Sequence, residues 1–280
     1  MTEESAASRS EDHAFRSRFV RNLIQRAPDS RPRAQKAEAS VPRSVVQFWD
    51  NPLEIPKDVR ACMDSWLQLE RAGFAVLRFD DASARRFVVD HLEAHHLRAL
   101  DACYHPAMRS DYFRLCYISV RGGCYVDADD SYRGEGIAEF FEGPFLTLRP
   151  LCYDCASHSM VPPHVFARHR ADSQAWIFYF NNNPLISPPR HPVVVRARER
   201  ATRLLNDHTS GELPDIQSTT GPGNLTASVV AEALVSDQTK SPLSLRIAAN
   251  WEEVATSVWP LSYRTDRRNW RLSNRQHFSR

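Results

Sequence analysis

The chain has 280 residues, 42% of them hydrophobic, enough for one sizeable core, and a single larger α/β domain is the default at this length. Its 36 Lys and Arg against 34 Asp and Glu leave a formal charge of only +2, which argues against a dedicated nucleic-acid binder, since tracking phosphates needs a clear basic excess. No apolar run approaches the roughly 20 residues that span a bilayer, and residues 1–12 are polar, with no apolar core of a secretory signal.

Residues 1–40 form their own compositional zone, expected to be a mobile N-terminal extension ahead of a single domain over 41–280. Phe15, Phe19, Val20, Leu23 and Ile24 recur at helical spacing with Arg16, Arg18, Arg21 and Arg26 between them, which predicts a short amphipathic helix. Pro28, Asp29, Ser30 and Pro32 then break the pattern into a flexible link. Such a helix docks on its own domain, frays, or touches an anionic membrane surface, so the expected cytoplasmic location includes peripheral contact with an inner membrane face. Six cysteines with no signal peptide read as reduced thiols, and Cys62, Cys103, Cys116 and Cys124 as small buried hydrophobes.

Ser44 to Trp49 is a short β-type run closed by Asp50-Asn51-Pro52, and Pro56 opens a helix through Val59, Met63, Trp66, Leu67 and Glu70 that Gly73 ends. Phe74 to Phe79 is the next strand, and Asp80 to Ser83 start a helix through Phe87, Val88 and Leu92. Pro106 precedes a helix from Met108 to about Val120, stopped by Gly122-Gly123, and Cys124 to Val126 is a strand ending on Asp127. This alternation is an α/β signature. Past Arg133 the pattern weakens: Trp176 to Phe180 is a strand candidate, Asn181-Asn182-Asn183 before Pro184 reads as a turn, and Pro192 to Asn206 as a helix. Residues 218–226 form a Gly-containing loop into a helix from Thr226 to Val235, and the aromatic, Arg-rich stretch Trp251 to Phe278 either packs over a cleft or trails on the surface.

The stretch from Ala107 to Asp130 carries the chemistry. Asp111 and Arg114 are three apart on a helix and share a face. The glycine pair lets the chain turn sharply into a strand that delivers Asp127 and Asp129 to its carboxyl end, where open α/β sheets bind ligands. Adjacent carboxylates repel unless a cation sits between them. Mg²⁺ or Mn²⁺ takes few protein oxygens and completes its shell with phosphate, so the cluster suits a diphosphate leaving group.

These residues resemble glycosyltransferase family 32, the Asp-x-Asp sugar-binding group of yeast α-1,6-mannosyltransferases and bacterial polysaccharide enzymes. The likeness rests on Ser110-Asp111, Arg114, Gly122-Gly123 and Tyr125-Val-Asp127-Ala-Asp129. Val41-Pro42-Arg43 with Gln47-Phe48-Trp49, Ser65-Trp66, Phe79-Asp80-Asp81, Asn181 to Asn183 with His191-Pro192, and Thr220-Gly221-Pro222 with Leu225-Thr226 extend it over about residues 41–233. The resemblance implies a GT-A type Rossmann-like nucleotide-sugar-binding domain and a metal-dependent, retaining transfer from a nucleotide-sugar (a UDP-sugar first, GDP-mannose second) to a saccharide, metabolite or protein acceptor. Gln47 and Trp49 would lie near the base and Asp111 and Arg114 on ribose and sugar, with Tyr125, Asn183 and Gly221 also on the donor. Asp127 would meet donor hydroxyls or the metal, and Asp129 the metal directly, so that Asp127, Asp129 and Arg114 are the catalytic set. Val46 stands where the family usually has His, and Asn269-Trp270 where it often has His-Trp, which leaves Asn269, Asn274 and His277 as candidates for the last metal ligand.

Competing readings exist for the same residues. Asp127-Ala-Asp129-Asp130-Ser131 resembles the Asp-x-Asp-x-Thr of aspartate-nucleophile phosphatases, which leaves the Asp111/Arg114 face unexplained. A calcium loop fails at Tyr132 and Ala138, where Gly and Glu are required. Cys152 and Cys155 with His158 and His164 have zinc-ligand types in a non-standard spacing, and the run Arg168, His169, Arg170 reads as solvated surface. A nucleotide-sugar or carbohydrate binder without turnover is the alternative to the enzyme.

Overall fold

The computed structural model describes residues 8–26, 40–167, 175–209, 211–240 and 243–278. Strand β1 (Ser44–Phe48) is almost wholly buried and pairs in parallel with β2 (Ala75–Phe79) on one side and β3 (Gly123–Tyr125) on the other. Parallel neighbours need crossovers. Helix α2 (Lys57–Ser65), continued by a 3-10 segment Trp66–Ala72, joins β1 to β2; α3 (Asp81–His91), α4 (Ala94–Ala102) and α5 (Pro106–Arg121) join β2 to β3. The strand order therefore reverses at β1, and the crevice at that reversal lies between the carboxyl ends of β1 and β3.

Beyond β3 the sheet turns antiparallel. β3 pairs with β7 (Trp176–Ser187), β7 with β5 (Leu146–Asp154), and β5 with β6 (Ser159–Met160), while β8 (Leu245–Ile247) joins β5 in parallel. This mixed α/β sheet, with order β2-β1-β3-β7-β5-β6, is consistent with the expected GT-A type Rossmann-like domain. A second, two-stranded sheet pairs β4 (Asp130–Tyr132) with β9 (Ala255–Ser257), and the Val258 amide donates to Asp129 O at 2.8 Å. The C-terminal segment is thereby anchored beside the Asp-x-Asp.

Local chemistry sets these boundaries. Asp80 caps α3, accepting from the Ser83 amide at 2.7 Å while Ser83 Oγ accepts from the Asp80 amide at 2.9 Å. α5 starts on Pro106 behind the His105 cap, whose Nδ1 accepts from the Ala107 amide at 3.0 Å. At its end Gly123 has φ +102, and a Cβ there would press on the Ser44 hydroxyl and lie 3.0 Å from the Ser44 carbonyl oxygen, so only glycine lets β3 close against β1.

Helix α1 (His13–Arg26) does not stand apart from the domain. It lies on β7 and α7 (Pro222–Thr239), which itself packs on α6 (Pro192–Asn206); Val20 is buried in the main core cluster, and Ser17 Oγ accepts from the Phe178 amide at 3.0 Å. The expected link at Pro28–Pro32 and the basic run at 168–170 lie outside the described residues. No helix of the described residues is long and apolar enough to cross a membrane.

Several expectations are corrected. Asn181-Asn182-Asn183 is not a turn but the middle of β7, because the facing acidic groups take up the amide donors of Asn182 and Asn183. β5 crosses a stretch that reads as loop, and α4 is an additional helix after Leu92. α7 starts at Pro222, ahead of the expected Thr226.

Candidate active site

Arg114 organises the site. It is almost completely buried, and Nη2 donates to Asp127 Oδ1 at 2.6 Å and lies 3.1 Å from Asp111 Oδ1. Nη1 donates to the Asn182 carbonyl, and the guanidinium sits 4.4 Å from the centre of the Tyr125 ring. Burial opposes its charge, but the carboxylates of Asp127 and Asp111 outweigh that and hold its pKa above the ordinary arginine value. Asp111 also accepts from Asn182 Nδ2 at 2.8 Å; burial, opposed by Arg114, pushes its carboxyl up to about 6.

Asn183 ties the acidic turn together. Its Oδ1 accepts from the Asp127 amide at 3.1 Å, and its Nδ2 donates to Asp130 Oδ2 at 2.8 Å. Ser257 donates to the other Asp130 oxygen at 2.5 Å, and Trp66 Nε1 donates to the Asp130 carbonyl at 2.8 Å. Burial, then the charges of Asp127 and Asp129, push the Asp130 carboxyl up to about 7. Asp130 is thus a brace behind the Asp-x-Asp, and Ser65-Trp66 gains a purpose: Ser65 Oγ accepts from the Tyr132 amide at 2.8 Å.

Asp129 faces the C-terminal segment. Tyr263 donates its phenol to Asp129 Oδ2 at 2.7 Å, and Arg264 Nη2 forms an ion pair with the same oxygen. Burial and the neighbouring Asp127 raise the Asp129 pKa, against the pull of Arg264 and Tyr263. The partners Tyr263 and Arg264, like Asn182 and Asp130, were not among the residues expected from the sequence. Their signals were the aromatic, Arg-rich composition of the last stretch and the third aspartate of Asp127-Ala-Asp129-Asp130.

These groups line one cavity of about 570 Å³ that includes Trp49, Asp111, Arg114, Asp127, Asp129 and Asn183. Trp49 meets Tyr263 edge-on at 5.5 Å between ring centres, and its buried Nε1 has no partner. Gln47 lies in the interior of β1 outside the cavity wall, with neither end of its buried amide satisfied. Tyr125 supports the site from below, its hydroxyl 2.8 Å from Ser110 Oγ. Gly221 caps α7, where a Cβ would come within 3.2 Å of Asp111 Oδ2. Asn269 is on the cavity wall, but its amide is engaged at both ends, donating to the Arg264 carbonyl at 2.8 Å and accepting from the Arg271 amide at 3.2 Å. Asn274 bonds to Asp215 at 3.0 Å and His277 lies against Tyr104 at 6.2 Å, so neither is brought to the Asp-x-Asp.

The acidic pair fits a hard divalent cation. Arg114 engages one oxygen of Asp127 and Arg264 one oxygen of Asp129, leaving the second oxygen of each outside these ion pairs. A cation between them would offset the burial and the Asp127 repulsion that together raise the Asp129 pKa. Elsewhere, the one metal-ligand cluster among the described residues is His95, His96 and Glu199, outside the cavity, where Glu199 already accepts from Arg198 Nη2 at 2.6 Å. No such cluster forms at Cys152 and Cys155; the first is a buried thiol pushed up to about 12 by burial, the second is exposed.

Residues 56–135 match the family model of the glycosyltransferase sugar-binding region containing DXD motif. The match runs from the start of α2 past β4 and takes in Asp111, Arg114, the glycine pair, Asp127 and Asp129. The comparison with curated proteins found no match. Among solved structures, one described as "PaToxG Glycosyltransferase" is similar at 12% identity and a TM-score of 0.44, over 95% of this chain and 94% of that one. The fold, the acidic cavity and the matched stretch together support a glycosyltransferase with a DXD sugar-binding region. Family 32 is a narrower assignment than this match.

Proposed function

We propose that this chain is a metal-dependent, retaining glycosyltransferase of the family 32 kind, moving a sugar from a nucleotide-sugar to an acceptor hydroxyl. The observation that carries the reading is Arg114, which joins Asp111 to Asp127 beneath a cavity that Asp129 also lines. A UDP-sugar is the first candidate donor and GDP-mannose the second; the acceptor is a saccharide, a metabolite or a protein.

In this account Trp49 receives the base, with Gln47 behind it. Asp111, Arg114 and Asp127 orient ribose and sugar hydroxyls, helped by Asn183 and by the room that Gly221 leaves beside Asp111. Asp129, with Asp127, holds Mn²⁺ or Mg²⁺, which supplies charge neutralisation for the diphosphate leaving group. The acceptor hydroxyl attacks the anomeric carbon on the leaving-group face. Proximity and charge neutralisation lower the barrier, with no protein nucleophile. The six unpaired cysteines support a reducing, cytoplasmic setting.

Nucleotide release from UDP-sugars and GDP-mannose, followed with and without Mn²⁺, tests the reading. Release is expected with one donor, dependent on Mn²⁺ and lost in Asp129→Asn; full activity of that variant with unchanged metal dependence would sink it. The Arg264 ion pair on Asp129 favours a second reading, a donor binder without turnover in which arginine stands in for the cation. That protein would bind nucleotide-sugar equally well without Mn²⁺ and release nothing.

A further inference from the structure

We infer that Arg264 is a ligand of the donor's diphosphate that rests on Asp129 while no donor is bound, and passes to the phosphates when a cation takes Asp129. This rests on the donor site proposed above.

Three features carry it. The first is position: Arg264 is mostly buried on the cavity wall, one guanidinium nitrogen is spent on Asp129, and its buried Nε has no partner. The second is company. Arg268 and Arg271 come from the same short segment and line the same cavity, with Arg268 paired to Asp50 at 3.5 Å and Glu54 at 3.1 Å. The same cavity also holds Asp111, Asp127 and, paired with Arg264 itself, Asp129, so an anion entering it is drawn to the arginines and repelled by these carboxylates. The third is freedom combined with a fixed base. The backbone leading to the segment is tied down, with β9 paired to β4 and Val258 bonded to Asp129 O, so the root of the arm is fixed beside Asp129. The guanidinium itself lies 4.0 Å from the centre of the Trp259 ring, a flat face over which it can slide without losing its cation–π contact.

Charge then dictates the exchange. Arg264 holds one oxygen of Asp129, and a dication on the other oxygen would sit a carboxylate's width from the guanidinium, a like-charge repulsion that a desolvated site screens poorly. Displaced from Asp129, Arg264 has the donor's diphosphate as its nearest new anion, and phosphate matches a guanidinium fork better than a single carboxylate oxygen does. Asp129 is compensated in both states, by arginine before binding and by the cation after it. Mn²⁺ alone must evict Arg264 with no anion to receive it, whereas Mn²⁺ with a diphosphate supplies one, so the two bind synergistically.

The test uses the full chain with Mn²⁺ alone, read by electron paramagnetic resonance, and with UDP, GDP and inorganic pyrophosphate in the presence of Mn²⁺, read by calorimetry. Arg264→Ala and the better space-filling Arg264→Gln are compared with wild type, and melting curves confirm folding. The expected result has opposite signs. Both variants bind Mn²⁺ alone several-fold tighter than wild type, yet bind the Mn²⁺-dependent nucleoside diphosphate roughly tenfold more weakly, the weight of one charge-assisted hydrogen bond. A change of the same sign in both measurements, or an unchanged diphosphate affinity, overturns the exchange while leaving the donor site standing. Absence of Mn²⁺-dependent nucleotide binding in the wild type overturns both.

Discussion

Arg114 reaches from α5 to Asp127 at the end of β3, 2.6 Å from Nη2 to Oδ1, and so locks the helix to the Asp-x-Asp turn. Because the guanidinium is buried between two carboxylates, removing it leaves the largely buried Asp111 and the cavity-facing Asp127 uncompensated. Arg114→Met is expected to lose about 3–5 kcal/mol of stability, the usual cost of breaking a buried ion pair, together with nearly all donor turnover. Arg114→Lys keeps the charge without the fork and should recover part of the stability but little of the turnover. Urea denaturation alongside nucleotide release separates the two losses; an unchanged denaturation midpoint in Arg114→Met contradicts the locking role.

Asp130 makes the fold pH-sensitive in a definite direction. Burial first, then Asp127 and Asp129, push its carboxyl up to about 7, so the folded chain holds that proton more tightly than the unfolded chain does. The associated stability is fully present below the ordinary carboxylate pKa and is lost as the pH rises through about 7. Between pH 6 and pH 8 the wild type should lose about 1 kcal/mol that Asp130→Asn does not. Chemical denaturation at both pH values in metal-free buffer checks this, and parallel pH dependence of the two proteins would refute it.

Two glycines with positive φ have different jobs. Gly123, at φ +102, is hemmed in by Ser44, whereas Gly73, at φ +79, has nothing within 4 Å of where a Cβ would stand. Gly73→Ala should cost about 1 kcal/mol, the left-handed backbone term alone. Gly123→Ala adds a steric collision at the β1–β3 joint and should cost about 2 kcal/mol or more. Thermal melts of the two variants side by side measure the difference.

Helix α1 is a structural part of the domain, with Val20 fully buried against β7 and its neighbours. Val20→Ala is expected to cost about 1–3 kcal/mol through lost burial and a residual cavity. A truly free extension would tolerate the change with no shift in the melting curve.

The first half of the fold was legible because its strands are short apolar runs punctuated by Gly, Pro and Asp, and the grouping of Asp111, Arg114, Asp127 and Asp129 around one cavity because they lie within one helix–turn–strand unit. The second half hid for identifiable reasons. β5 carries Pro150 in its middle, which reads as a strand breaker but here pairs opposite Phe180. The three asparagines of β7 have turn chemistry, yet Asn182 and Asn183 donate to Asp111 and Asp130 instead. Arg264 meets Asp129 across 135 residues of chain, a contact that no periodicity or spacing can encode.

The most direct measurement is a thermal-shift panel of UDP- and GDP-sugars, each with and without Mn²⁺, on wild type and Asp129→Asn. A ligand at about 100 times its dissociation constant adds roughly 2.7 kcal/mol, which raises the midpoint of a chain this size by several degrees. The account predicts a shift with one nucleotide, requiring Mn²⁺ and lost in the variant. No shift with any nucleotide-sugar, or an equal shift in Asp129→Asn without Mn²⁺, would contradict it.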